Sequence, residues 1–162
     1  MIHYSNYIDG QFVDSPDSAR ITVINRATGE AISTIPDSAA EQVDAAIAAA
    51  EKAQSAWAAL PAVARAKHLH QLADKIRAQV EPLARVITEE QGKTLGLARV
   101  EVNFTADYID YMAEWGRRIE GDVIESDRPK ENIFLFHKPI GVVAGILPWN
   151  FPFFLIARKL AP

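Results

Sequence analysis

The sequence predicts an α/β protein in which a helical layer packs on an incomplete parallel sheet, with a β-hairpin projecting from the body. Three observations carry that prediction. Short β-branched and aromatic runs separated by turn residues fill positions 7–35, and apolar residues then recur at helical spacing from 39 to 119. After Gly121 the period returns to that of strands, and the chain finishes on a wholly apolar run followed by one more helix.

Taken in order, Asp9-Gly10 lies between Tyr7-Ile8 and Phe12-Val13, a hairpin signal because both turn positions tolerate positive φ. Asp14-Ser15-Pro16 marks the next turn. Ile21-Thr22-Val23-Ile24 and positions 32–35 flank Thr28-Gly29, giving a second hairpin or a meander. Ser38-Ala39-Ala40-Glu41 has the pattern of a capping box, and Val43, Ala46, Ile47, Ala50, Ala53 and Trp57 keep a helical period over 39–58. Leu60-Pro61 ends that helix. Pro61 suits a first helical position, and Leu69, Leu72, Ala73, Ile76 and Val80 mark the buried stripe of a second helix. Pro82 opens a short third helix carrying Leu83, Val86 and Ile87, which stops at Gly92.

The longest periodic segment places Leu97, Val100, Phe104, Tyr108, Tyr111, Met112, Trp115 and Ile119 on one stripe, expected to face the other helices. Beyond Gly121, Val123-Ile124 and Ile133-Phe134-Leu135-Phe136 flank the turn-rich stretch 126–132 and predict a hairpin. Gly141-Val142-Val143-Ala144-Gly145-Ile146-Leu147 reads as a buried parallel strand, and Pro152 begins a last helix over 153–160. That strand needs parallel neighbours which the sequence does not provide. Either another segment supplies them or the chain is a truncated piece.

Composition narrows the function. The 162 residues carry 17 Lys+Arg against 21 Asp+Glu, a net charge of −4, and 49% are hydrophobic. That excludes a disordered or collagen-like chain, and without clustered basic residues no nucleic-acid or anionic-membrane partner is expected. No apolar run approaches the ~18 residues of a membrane span, and the first residues have no basic and apolar leader pattern, so a cytoplasmic protein is expected. There is no cysteine, which removes disulfides, thiolate metal sites and a cysteine nucleophile from these residues. His3, His68, His70 and His137 have no metal-ligand spacing, so no metal site is expected.

The densest chemical signal is Gly145-Ile146-Leu147-Pro148-Trp149-Asn150-Phe151-Pro152. It places a loop at the carboxyl end of an apolar strand and beside a helix N-terminus, where ligands of open α/β sheets bind. Trp149 offers a flat apolar wall. Asn150 offers uncharged N–H donors able to stabilise an oxygen that becomes negative during reaction, or else it is a turn former capping the next helix.

Over 7–162 the chain resembles the N-terminal part of the NAD(P)-dependent aldehyde dehydrogenase superfamily. The matching elements are Tyr7-Ile8-Asp9-Gly10-Gln11-Phe12-Val13, Asn25-Arg26-Ala27-Thr28-Gly29-Glu30, Glu89-Glu90-Gln91-Gly92-Lys93 and, most specific, Gly141-Val142 through Pro148-Trp149-Asn150-Phe151-Pro152. Stretches 104–115 and 152–159 look closest to the members that oxidise lactaldehyde and glycolaldehyde. The resemblance implies an N-terminal portion of that fold, with a Rossmann-like sheet left incomplete. Residues 1–120 would be the β-meander and helical part of the cofactor-binding domain, 121–139 a hairpin for homo-oligomer assembly, and 140–162 the first strand and helix of the dinucleotide-binding core.

The same resemblance implies NAD, with NADP possible, as cofactor and a small aldehyde as substrate. It places Ile146, Leu147, Pro148, Trp149 and Asn150 along the cofactor cleft, with Asn150 as side-chain donor of the oxyanion hole. Lys159 falls in the proton-relay region, its alternative being a solvated helix residue. Phe104, Tyr108, Phe151 and Arg158 fall on the substrate tunnel. Phe151, Leu155 and Arg158 share one helix face, where a guanidinium would favour a hydroxylated aldehyde unless it pairs with a carboxylate. The family's catalytic cysteine, glutamate base and Gly-rich turn lie beyond the matched part, so the 162-residue chain is expected to be inactive alone. Two readings stand: the N-terminal portion of an enzyme oxidising small (hydroxy)aldehydes to carboxylic acids, or a non-catalytic module that pairs with another chain.

Overall fold

The computed structural model describes residues 1–15 and 19–162; Pro16 of the predicted turn lies outside them. Strands β2 (Asn6–Ile8) and β3 (Gln11–Val13) form the first hairpin, with Tyr7 opposite Phe12. Its turn has φ 48° at Asp9 and 80° at Gly10, the pair of positive angles that matches the strand twist. β4 (Arg20–Ile24) and β5 (Ala31–Pro36) form the second, antiparallel with Thr22 opposite Thr34. The two-residue β1 (Ile2–His3) adds to the free edge of β5 in parallel, giving the order β1-β5-β4. So short a strand leaves no periodic trace in sequence.

Helix α1 (Ala40–Ala59) follows, but the expected capping box does not form. Ala39 is the N-cap and makes no side-chain bond, while the Ser38 hydroxyl accepts the Asn6 side-chain amide at 2.8 Å, tying the helix entry to β2. Gln42 is the buried residue of α1, and its amide donates to the Asp14 carbonyl at 2.9 Å. Val43, Ile47 and Trp57, the predicted inner stripe, are exposed.

The core belongs to α2 (Ala62–Arg77), α3 (Val80–Gln91), α4 (Leu95–Glu114) and α5 (Pro152–Leu160), arranged about α4. α3 starts two residues before Pro82, which falls in the first turn where a missing N–H costs nothing. It ends as expected at Gly92, with φ 80° and its N–H on the Thr88 carbonyl.

The predicted stripe of α4 is not the buried one. Leu97, Val100, Phe104, Tyr111 and Ile119 are exposed, whereas Ala98, Val102, Thr105, Ala106 and Ile109 are enclosed. Ala73, Ala84 and Ala157 from the neighbouring helices meet that face. Small residues let helix backbones approach closely, so the tightest packing runs along the face with the weaker hydrophobic signal.

A 3₁₀ turn (Trp115–Arg117) leads to the hairpin of β6 (Asp122–Glu125) and β7 (Asn132–Leu135), with Val123 opposite Phe134. It projects as expected and both strands are exposed along their length. The predicted strand at 141–147 is the main difference: those residues join no ladder and are exposed. An interior parallel strand forms only between neighbours, and among the described residues none flanks this segment. The final helix begins at Pro152, with Pro at its first position.

Candidate active site

The loop before α5 is held by side chains that arrive from α3, α4 and their connection. Gln91, the last residue of α3, donates its side-chain amide to the carbonyls of Trp149 and Asn150, 2.9 Å each. Gly92 turns the chain, so Lys93 points back toward the same loop; its ammonium donates to the Asn150 carbonyl at 3.2 Å and lies 4.1 Å from the centre of the Phe151 ring. Lys93 also pairs with Glu101 of α4, whose side chain is wholly enclosed. The other Glu101 oxygen accepts the N–H groups of Phe153 (2.9 Å) and Phe154 (3.1 Å). These are first-turn donors of α5, which helix geometry leaves without partners, and a carboxylate also complements the positive helix end.

The α5 cap is therefore Glu101 and not Asn150. The flanking position is Phe151, with no side-chain cap of its own. Among the described residues the Asn150 side-chain amide has no hydrogen-bond partner, and Asn150 is exposed. Beside it Ile146 and Trp149 expose 89% and 81% of their surface, an apolar wall. Behind that wall α3 and α5 bound a groove of about 520 Å³, lined by Leu83, Val86, Ile87, Trp149 and Phe153 with Arg26 and Glu90 at its polar side. Burial pushes the Glu90 carboxyl above the ordinary carboxylate value, and the neighbouring Glu89 adds to that.

The other expected site residues separate into groups. Phe104 and Tyr108 come together against Phe154 of α5, with ring centres 4.6 and 5.5 Å away. Phe151 is drawn to Lys93 instead. Arg158 is exposed on α5 and, among the described residues, has no carboxylate within salt-bridge distance. The Lys159 stem runs alongside Gly145, where an added Cβ would lie 3.5 Å from Lys159 Cβ. Leu147 and Pro148 are exposed next to the loop. Sequence reasoning did not assign roles to Gln91, Lys93, Glu101 or Phe154. The first two lie in a quoted motif, while a glutamate inside a helix reads as solvated surface.

Residues 12–162 match the family model described as "Aldehyde dehydrogenase family". The chain belongs to that family. A curated aldehyde dehydrogenase relative is "Lactaldehyde dehydrogenase" of Escherichia coli (strain K12), 57% identical over 161 residues, covering 99% of this chain and 34% of the relative. The crystal structure of lactaldehyde dehydrogenase from Escherichia coli superposes with a TM-score of 0.96 over 99% of this chain and 34% of that one. A structure of the NADP-dependent glyceraldehyde-3-phosphate dehydrogenase from Bacillus halodurans C-125 complexed with NADP superposes at 0.93 with 31% identity, over 99% of this chain and 35% of that one. The chain thus spans about a third of the relatives it matches and has the fold of the N-terminal part of the aldehyde dehydrogenases. Among the described residues no helix is long and apolar enough to cross a membrane.

Proposed function

We propose that this chain is the part of an NAD(P)-dependent aldehyde dehydrogenase that supplies the oxyanion donor and one wall of the cofactor cleft, in an enzyme converting small hydroxylated aldehydes to carboxylic acids. The observation that carries the reading is the cap of α5. With Glu101 occupying the helix N-terminus, Asn150 is relieved of the structural duty that competes with a chemical one. Its amide is left to donate to a carbonyl oxygen of the substrate, and such a bond strengthens as the oxygen gains charge.

Ile146, Leu147, Pro148 and Trp149 suit a planar nicotinamide, since they offer exposed apolar surface with an uncharged donor beside it. When bound, that group takes up the hydride the aldehyde loses. Lys159 would hold a proton near the loop through the stem that rests on Gly145. The family assignment and the 57% identity to a protein named for lactaldehyde support the substrate class. The 162 residues contain no cysteine, so the chain by itself would bind without turning over. The exposed hairpin at 121–139 supports homo-oligomer assembly, and the enzyme is placed by this reading in the cytoplasm.

The test is Asn150→Ala in the complete enzyme. An oxyanion donor's loss lowers kcat by about 10²-fold or more while cofactor affinity and thermal midpoint hold. An unchanged kcat with a lowered melting temperature would return Asn150 to a turn-forming role.

A further inference from the structure

The peptide planes on both sides of the Asn150 Cα are pinned from the helical layer. The Trp149 carbonyl belongs to the plane before that Cα and the Asn150 carbonyl to the plane after it. Gln91 donates to both at 2.9 Å, and Lys93 donates to the second at 3.2 Å. Because each peptide unit is planar, fixing the two carbonyls fixes φ and ψ of Asn150 and leaves only its side-chain torsions free. One step further along, Glu101 holds the Phe153 and Phe154 N–H groups and so anchors the start of α5.

The chemistry of the anchors agrees with this purpose. Carbonyl oxygens only accept, so the Gln91 amide must turn its NH2 toward them; its own oxygen is buried and, among the described residues, has no partner. Lys93 is kept in place by the enclosed Glu101 carboxylate, which divides its two oxygens between the ammonium and the α5 amides. One buried acid therefore orients both the lysine and the helix on either side of the Asn150 turn.

We propose that Gln91, Lys93 and Glu101 are positioning residues, a clamp that presents the Asn150 amide to the reacting oxygen. This rests on the reading of Asn150 as oxyanion donor. A catalytic group displaced by about 1 Å can cost on the order of 10²-fold in rate, so a clamp of this kind matters although it touches no substrate.

The experiment is a double-mutant cycle in the complete enzyme, reading kcat, the KM for cofactor and the thermal midpoint. Gln91→Leu is expected to lower kcat about ten-fold or more with the KM for cofactor unmoved, and to cost nothing further when Asn150 is already alanine. Gln91→Met carries the same test should the leucine variant not fold. Full kcat in the Gln91 variant, or a loss that adds completely to that of Asn150→Ala, overturns the clamp. If Asn150→Ala alone keeps full rate, the oxyanion reading falls and the clamp with it, a result told apart by that single variant.

Discussion

The Glu101 carboxylate of α4 accepts the N–H of Phe153 at 2.9 Å, joining residues 52 positions apart. The same oxygen takes Phe154, and the other takes Lys93, whose side chain is only 12% exposed. Glu101→Ala would strand a nearly buried ammonium and two first-turn N–H groups. A loss of about 3–5 kcal/mol is expected in urea denaturation, the size typical of breaking a buried pair from one side. Glu101→Gln keeps an acceptor for the amides and should lose less. Equal, small losses for both would mean that Lys93 and the α5 start find other partners.

Part of this arrangement is legible in sequence and part is not, for physical reasons. Asp9-Gly10, Gly92 and Pro152 announce their turns and ends because the constraint lies in their own backbone angles. The buried face of α4 is hidden because Ala98 and Ala106 weigh less in a hydrophobic pattern than Phe104 and Tyr111, which are exposed. Glu101 is hidden more completely, since its partners come from the α3–α4 connection and from α5. The 141–147 run reads as a strand because it is wholly apolar, but pairing is a property of neighbours. Asn150 could be singled out from its motif, whereas the choice between cap and free donor needed the Glu101 contact.

Asp110 gives the protein an acid-sensitive link between α2 and α4. Burial raises its carboxyl, but hydrogen bonds from His70 and Arg77 outweigh that and leave it below the ordinary value of 3.8. Arg77 also faces Asp107 at 2.9 Å and Asp74 at 3.8 Å, so the carboxylates share one guanidinium. A folded-state pKa below the unfolded one contributes stability above the unfolded value, and that contribution is lost as pH falls through the folded one. The melting-temperature difference between the parent and Asp110→Asn should therefore be present at mildly acidic pH and close as pH drops below 3.8. A difference that widens on acidification would contradict the link.

The β6–β7 ribbon exposes Val123 and Phe134 at 71% and 60% of their surface, with Phe136 just beyond it at 76%, and it is two-stranded among the described residues. An isolated hairpin is marginal in water, and its free edges invite another strand. Light scattering of the protein at micromolar concentration should find a dimer or larger species. Lysine at Val123 and Phe134 together should shift it toward monomer; assembly unaffected by those changes would place the interface elsewhere.

The proposed substrate class can be tested at Arg158. Leu155 and Arg158 lie three positions apart on α5, while Phe151 flanks the helix, so the guanidinium has an apolar neighbour on its own face. It has no carboxylate partner among the described residues. A guanidinium without a carboxylate partner can hydrogen-bond a ligand oxygen, and a 2-hydroxyaldehyde carries one next to the reacting carbon. In the complete enzyme, Arg158→Leu should move the kcat/KM ratio of glycolaldehyde to propanal toward propanal by about 1.5–3 kcal/mol, the worth of one hydrogen bond to a charged group. That is roughly ten-fold or more, large enough to separate from assay scatter. An equal fall for both aldehydes would show Arg158 acting on the fold or on the common chemistry, and the preference for a hydroxylated substrate would then lose the side chain that supports it.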